Sequence, residues 1–167
     1  MKNLLFVTII GVIILISGCN STPIPVEFSK ACELQNDGKY LEVKGYLDNI
    51  GDLNCSGKQG GDMRCPLNFK KDEDTYIDIN KKIKNEEDPS ATFLISVLLG
   101  DSANSLKKKE YAHFKKEDME FIGADNSIIT LKNKVKITGK ARVMNSTNID
   151  KKPYISCLMY VDKIEKQ

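Results

Sequence analysis

From Tyr40 the chain alternates strictly, with Leu41, Val43, Gly45 and Leu47 on one side and Tyr40, Glu42, Lys44 and Tyr46 on the other. That period of two predicts a half-buried strand. Met63, Cys65, Leu67 and Phe69 repeat the pattern, and residues 76–79 are a shorter strand candidate. Residues 91–99 form an apolar run stopped by Gly100-Asp101, which predicts a strand buried on both faces. Residues 119–122 and 127–131 flank Gly123-Ala124-Asp125-Asn126, a hairpin signal. In "LKNKVKITGKARV", Val135, Ile137, Gly139, Ala141 and Val143 share one face of a strand, and Lys132, Lys134, Lys136, Lys140 and Arg142 share the other. After a polar loop over 145–152, "PYISCLMYVDKIEK" predicts a last strand with Ile155, Cys157, Met159 and Val161 on one face. Pro153 stands where such a strand can begin. Two helices are predicted. One spans 27–36, with Phe28, Ala31, Cys32 and Gln35 near one face and Asp37-Gly38 as its stop; the other spans 105–117, capped by Ser105. Six or seven short strands with one or two short helices describe a mainly β protein, a small antiparallel barrel or sandwich.

Ahead of this pattern lies a segment of different character. Met1-Lys2-Asn3 is a minimal basic start, residues 4–16 are apolar, and Ser17-Gly18 precede Cys19. As a helix the apolar part spans about 20 Å, short of the roughly 30 Å hydrocarbon core, and no basic cluster follows it. It reads as an export leader over 1–18. The order Ile16-Ser17-Gly18-Cys19 is similar to the lipobox of bacterial lipoproteins. That resemblance implies cleavage between Gly18 and Cys19, lipidation of Cys19 and a membrane anchor. The bland alternative is an ordinary secretory leader with a stray cysteine. Asn20 stands where an Asp commonly retains such proteins at an inner membrane, so the expected address is the outer membrane of a cell with two membranes, or the outer face of a cell with one. Residues 20–26, with Pro23 and Pro25, read as the tether, and 27–167 as one domain.

Setting Cys19 aside leaves Cys32, Cys55, Cys65 and Cys157, an even number in an oxidising compartment, where disulfides are the default. The glycine-rich stretch between Cys55 and Cys65 suits a turn, so these two are paired, and Cys32 is then paired with Cys157. A four-cysteine zinc site is the alternative; no two of these cysteines lie at the short spacing of common zinc knuckles.

The formal charge is +2, from 25 basic and 23 acidic side chains, so no polyanion-binding role follows from the chain as a whole. The local exception is the row Lys132, Lys134, Lys136, Lys140 and Arg142. It is a candidate for phosphates or acidic glycans, set against the ordinary reading of a solvated face in which Glu42, Asp48 and Asp162 neutralise it. Tyr40 and Tyr46, with Tyr154 and Tyr160, alternate on faces opposite the apolar ones and are candidate stacking residues. Catalysis has little to stand on. His113 is the only histidine, none of the common nucleophile, zinc-hydrolase or phosphate-loop motifs occurs, and Asp72, Asp74 and Asp78 lack the glycine and terminal glutamate of an EF-hand. No cofactor or metal is expected.

"DGKYLEVKGYL" and "NKVKITGKARV" are both strands interrupted by a glycine that permits a bend. In this the chain resembles the OB-fold lipoproteins related to the tRNA-anticodon-binding-like family. The resemblance implies an OB-like antiparallel Greek-key barrel in which Gly45 and Gly139 let strands coil around the barrel. It also implies a non-enzymatic binding or interaction module. OB folds take nucleic acid, sugar and protein ligands. Outside the cytoplasm nucleic acid is the least favoured of the three, which leaves an envelope protein or glycan as the expected partner. Two readings compete: an envelope hydrolase or glycan-modifying enzyme using Asp or Glu, and a structural lipoprotein.

Overall fold

Five strands carry the barrel: β1 (Tyr40–Asp48), β2 (Met63–Lys70), β3 (Thr92–Leu99), β4 (Lys134–Thr147) and β5 (Pro153–Lys166). They are seen in a computed structural model that describes residues 22–48, 56–57, 63–73, 92–100, 104–106, 120–147, 151 and 153–167. Strand β1 pairs antiparallel with β4 over Tyr40 to Tyr46 and then with β2 through Tyr46, Leu47 and Asp48. Strand β2 pairs antiparallel with β3, β3 runs parallel to β5, and β5 returns antiparallel to β4. The order β1-β2-β3-β5-β4 therefore closes back on β1, and the protein is mainly β with its sheet joined into a ring.

At two positions of the ring the strands leave room for nothing larger than glycine. A Cβ on Gly139 would run into the Tyr160 carbonyl and sit 2.7 Å from Val161 Cα. One on Gly45 would collide with the Lys70 carbonyl and stand 2.9 Å from the Phe69 ring, at the point where β1 changes partner from β4 to β2. Backbones meet there too closely for any side chain. Both expected bend positions are thus places of close backbone approach.

The inward residues fill the ring. Leu41, Val43, Cys65, Leu67, Ile95, Val97, Ile137, Met159 and Val161 are all essentially inaccessible, which is the tight filling small barrels require. One end is closed by Phe28, whose ring lies 5.5 Å from Phe69 and 5.0 Å from Phe93, centroid to centroid. At the other end a three-stranded sheet of Ser105–Leu106, Glu120–Ile122 and Ile128–Thr130 buries Phe121 and Ile129 in the same core. The predicted hairpin between the last two of these strands is present. Its turn is held by Asn126 in the left-handed region (φ 61°) and by Asp125, whose Oδ1 accepts from Ser127 N at 3.1 Å.

Strand β5 contains a β-bulge, the register on β4 slipping between Val161 and Lys163. The inward positions consequently run Met159, Val161, Ile164 in place of a strict alternation. A bulge strands backbone groups. Here Asn104, which is buried, satisfies them: its Nδ2 donates to the carbonyls of Asp162 and Leu98, each at 3.1 Å, and its Oδ1 accepts from Ile164 N at 2.9 Å.

Several expectations need correction. Residues 27–36 do not form an α-helix but two 3-10 turns, Phe28–Lys30 and Leu34–Asn36. Phe28, Ala31 and Cys32 are buried as expected, but the fourth buried residue is Asn36, whose Nδ2 donates to Lys30 O at 2.8 Å, while Gln35 is exposed. Two short turns serve because the segment has only to lay three apolar side chains over the barrel mouth. Ser105 opens no helix; it begins a strand paired with Ile122. The run over 91–99 is not buried throughout. It alternates, with Phe93, Ile95, Val97 and Leu99 inward and Leu94 outward. The tether is shorter than read, because Ile24–Pro25 pairs parallel with Leu41 and Glu42, and Val26 N donates to Glu42 O at 2.9 Å. The polar loop is shorter too, since β4 continues to Thr147.

Cys32 and Cys157 are joined, with Cα atoms 5.5 Å apart, as paired from the sequence. Cys65 is also disulfide-bonded, which removes the zinc alternative. Its expected partner Cys55 lies outside the described residues, as do Cys19, Gly18, the leader, the strand candidate at 76–79, His113 and the rest of the predicted second helix. Among the described residues no helix is long and apolar enough to cross a membrane.

Candidate functional site

Lys134, Lys136, Lys140 and Arg142 do lie on the outer face of β4, but Lys132 stands in the turn before that strand, and the row is not an unbroken strip. Lys136 is its centre and is pinned: Nζ lies 2.9 Å from Glu165 on β5 and 3.2 Å from Glu42 on β1. Lys163 reaches the other oxygen of Glu165 at 2.8 Å. Lysine bonds to Glu165 and Glu42 raise the Lys136 ammonium above its ordinary value, and bonds from Lys163 and Lys136 lower the Glu165 carboxyl. Thr138, next outward on β4, is buried and uncharged. Two cationic ends remain, each beside a tyrosine. Lys132 and Lys134 are exposed at one end, with Lys134 opposite Tyr46; Lys140 and Arg142 are exposed at the other, with Lys140 opposite Tyr40. Burial, and after it the charge of Asp162, raises the Tyr40 hydroxyl above its ordinary value.

Of the three acids expected to neutralise the row, Glu42 does so through Lys136. Asp48 is buried against Lys70 at 3.6 Å, and Asp162 faces Arg64 at 3.6 Å. Glu165, which lies closest to Lys136, carries no signal in the sequence: it reaches Lys136 only through the β4–β5 register, which the bulge sets.

Strand pairing assembles a second surface beside Lys140 and Arg142. Lys140 lies opposite Tyr160, which lies beside Ser96; Arg142 lies opposite Leu158, which lies beside Leu94. The Arg64 guanidinium sits over the Tyr160 ring, 5.5 Å from its centre, and donates to Ser96 O at 3.4 Å. Farther along the hairpin the outward positions are Met144, opposite Ser156, and Tyr154, opposite Ser146. Tyr154 and Tyr160 are recognisable in the sequence by their alternation. Leu94 is not, because both faces of β3 are apolar, and Met144 sits in a segment whose other outward residues are polar.

An open hollow of about 350 Å³ lies between the N-terminal strand and β1, lined by Pro25, Val26, Glu27, Phe28, Glu42 and Lys44. Its two carboxylates are each held by a lysine, Glu27 by Lys30 at 3.3 Å and Glu42 by Lys136. Among the described residues no three His, Cys, Asp or Glu side chains are grouped so as to hold a metal ion. No family model and no curated protein matches the chain.

Proposed function

We propose that this protein is a membrane-anchored envelope lipoprotein, held through an acylated Cys19, whose OB-like Greek-key barrel is a non-enzymatic module for binding a protein or envelope glycan. The observation that carries the reading is the filled ring. With core side chains packed from Phe28 at one end to Phe121 at the other, the described residues fill the ring and leave its outer walls for contact. A five-stranded ring with a close-approach glycine in its first strand and another in its penultimate strand supports the OB-like assignment. The hydrolase reading is the weaker one, since paired catalytic carboxylates need a pocket and freedom to exchange protons. The carboxylates of the described hollow are engaged by Lys30 and Lys136.

The anchor is read from Ile16-Ser17-Gly18-Cys19 and from Asn20 after it, which direct the protein to the outer membrane of a cell with two membranes or the outer face of a cell with one. Two acyl chains at about 0.8 kcal/mol per buried methylene make such an anchor lasting. Metabolic palmitate labelling tests it. Label on the wild type and none on Cys19→Ala is the expected result, and label persisting on Cys19→Ala overturns the anchor.

A further inference from the structure

Four exposed apolar side chains lie on one outer surface of β3, β5 and β4: Leu94 at 48% exposure, Met144 at 44%, Tyr154 at 50% and Tyr160 at 39%. The register makes them neighbours. Leu94 adjoins Leu158, and Leu158 lies diagonally from Met144, which in turn lies diagonally from Tyr154. A sheet brings such diagonal pairs within side-chain reach. Positive charge predominates here: Lys140 and Arg142 border the surface and take part in no ion pair among the described residues, Asp162 is held by Arg64 at 3.6 Å, and the Asp37 carboxylate at the β4 edge is taken up by Val143 N at 2.9 Å. Between these residues the outward positions Ser96, Ser146 and Ser156 are small hydroxyls.

We propose that this surface docks an acidic polypeptide segment of another protein, one that carries apolar residues for Leu94, Leu158 and Met144 and carboxylates for Lys140 and Arg142. This deepens the binding-module reading above and rests on it. A second copy of the chain fits poorly, because two such faces brought together set Lys140 and Arg142 against their own kind. A glycan is the weaker fit, because it needs amides or carboxylates to take its hydroxyls. The described outward residues of β3, β4 and β5 include no amide, and their carboxylates, Asp162 and Glu165, are already held by Arg64 and by Lys136 and Lys163. Nucleic acid would find two tyrosine rings but otherwise aliphatic contacts where stacking planes are needed. An apolar centre with a charged rim is the arrangement that protein interfaces use.

The test is photo-crosslinking in intact cells, with benzoylphenylalanine placed at Leu94 in the full chain and, as control, at the equally exposed Ile128 on the small sheet. The expected result is a discrete adduct from position 94 and none from 128. Its attached peptide, sequenced by mass spectrometry, comes from another protein and has more Asp and Glu than Lys and Arg around the attachment point. Lys140→Glu with Arg142→Glu lowers the yield at least about tenfold, whereas Lys140→Arg with Arg142→Lys keeps it. Absence of an adduct overturns the proposal. So does an adduct to a second copy, to glycan, to nucleic acid or to a basic segment, or a yield that ignores charge reversal. Palmitate label measured on the same chains reports the anchor separately, so a labelled chain that forms no adduct fails the docking proposal alone.

Discussion

Asn104 does more for the fold than its place in "DSANSL" suggests. Its side-chain amide fills the gap left by the β5 bulge, donating to two carbonyls and accepting from one N–H, and its own carbonyl accepts from Gly100 N at 2.7 Å. Truncating it strands three backbone groups at once, the buried Ile164 N and the half-buried carbonyls of Leu98 and Asp162. Each unsatisfied group costs about 1–3 kcal/mol, and partial hydration of the space left behind offsets some of that. Asn104→Ala is expected to lower unfolding stability by about 3 kcal/mol in urea titration. Asn104→Asp should rescue little, because a carboxylate can accept from Ile164 N but cannot donate to Asp162 O or Leu98 O. A loss under about 1 kcal/mol for Asn104→Ala would mean that the bulge does not depend on it. Nothing in the sequence marks this residue, since a lone asparagine among small polar neighbours has the look of any turn.

Strands β1 and β4 are legible because polar and apolar positions alternate without exception over most of their length, and a one-residue slip would bury their lysines. Strand β3 is legible as a strand but not as a half-exposed one: Leu94 and Leu98 put apolar side chains on its outward face as well. The 3-10 turns read as a helix because Phe28 and Ala31 stand three apart, a spacing the two helix types share. At the candidate site the cations are visible in the sequence and their neutralisation is not, since the Lys136–Glu165 contact exists only once β4 and β5 are in register. That network has a pH signature. The Glu165 carboxyl titrates below its ordinary value of 4.5, so its contribution is present above that pH and is lost as pH falls through the folded value. Lys136 titrates above its ordinary 10.5, so its contribution is present below that pH and is lost as pH rises beyond it. Glu165→Gln should therefore flatten part of the acid-side fall in thermal midpoint below about pH 5 and leave the shape near neutrality unchanged. An acid limb identical to the wild type would remove Glu165 from the network's account.

At the scale of the molecule, the Cys32–Cys157 bridge ties the turn that caps the barrel to its last strand across 125 residues of sequence. Closing a loop of that size in the unfolded chain is worth about 5 kcal/mol by the chain-entropy account. The pair of substitutions Cys32→Ala and Cys157→Ala should lower the stability of the full chain by about 4–5 kcal/mol in urea titration without reductant. A loss under about 1 kcal/mol would show that packing of Phe28 against Phe69 and Phe93 holds the cap unaided. The two-residue strand Ile24–Pro25 has a consequence of another kind. It fastens the start of the domain along β1, so a lipid on Cys19 leaves residues 20–23 as the whole leash, and Ile24 lies within about 17 Å of the acylated residue however the leash is stretched. Were Cys19 acylated, that leash would draw β1 toward the bilayer, and because β3 and β5 stand across the ring from β1, the face that carries Leu94 and Tyr160 would be turned away from it.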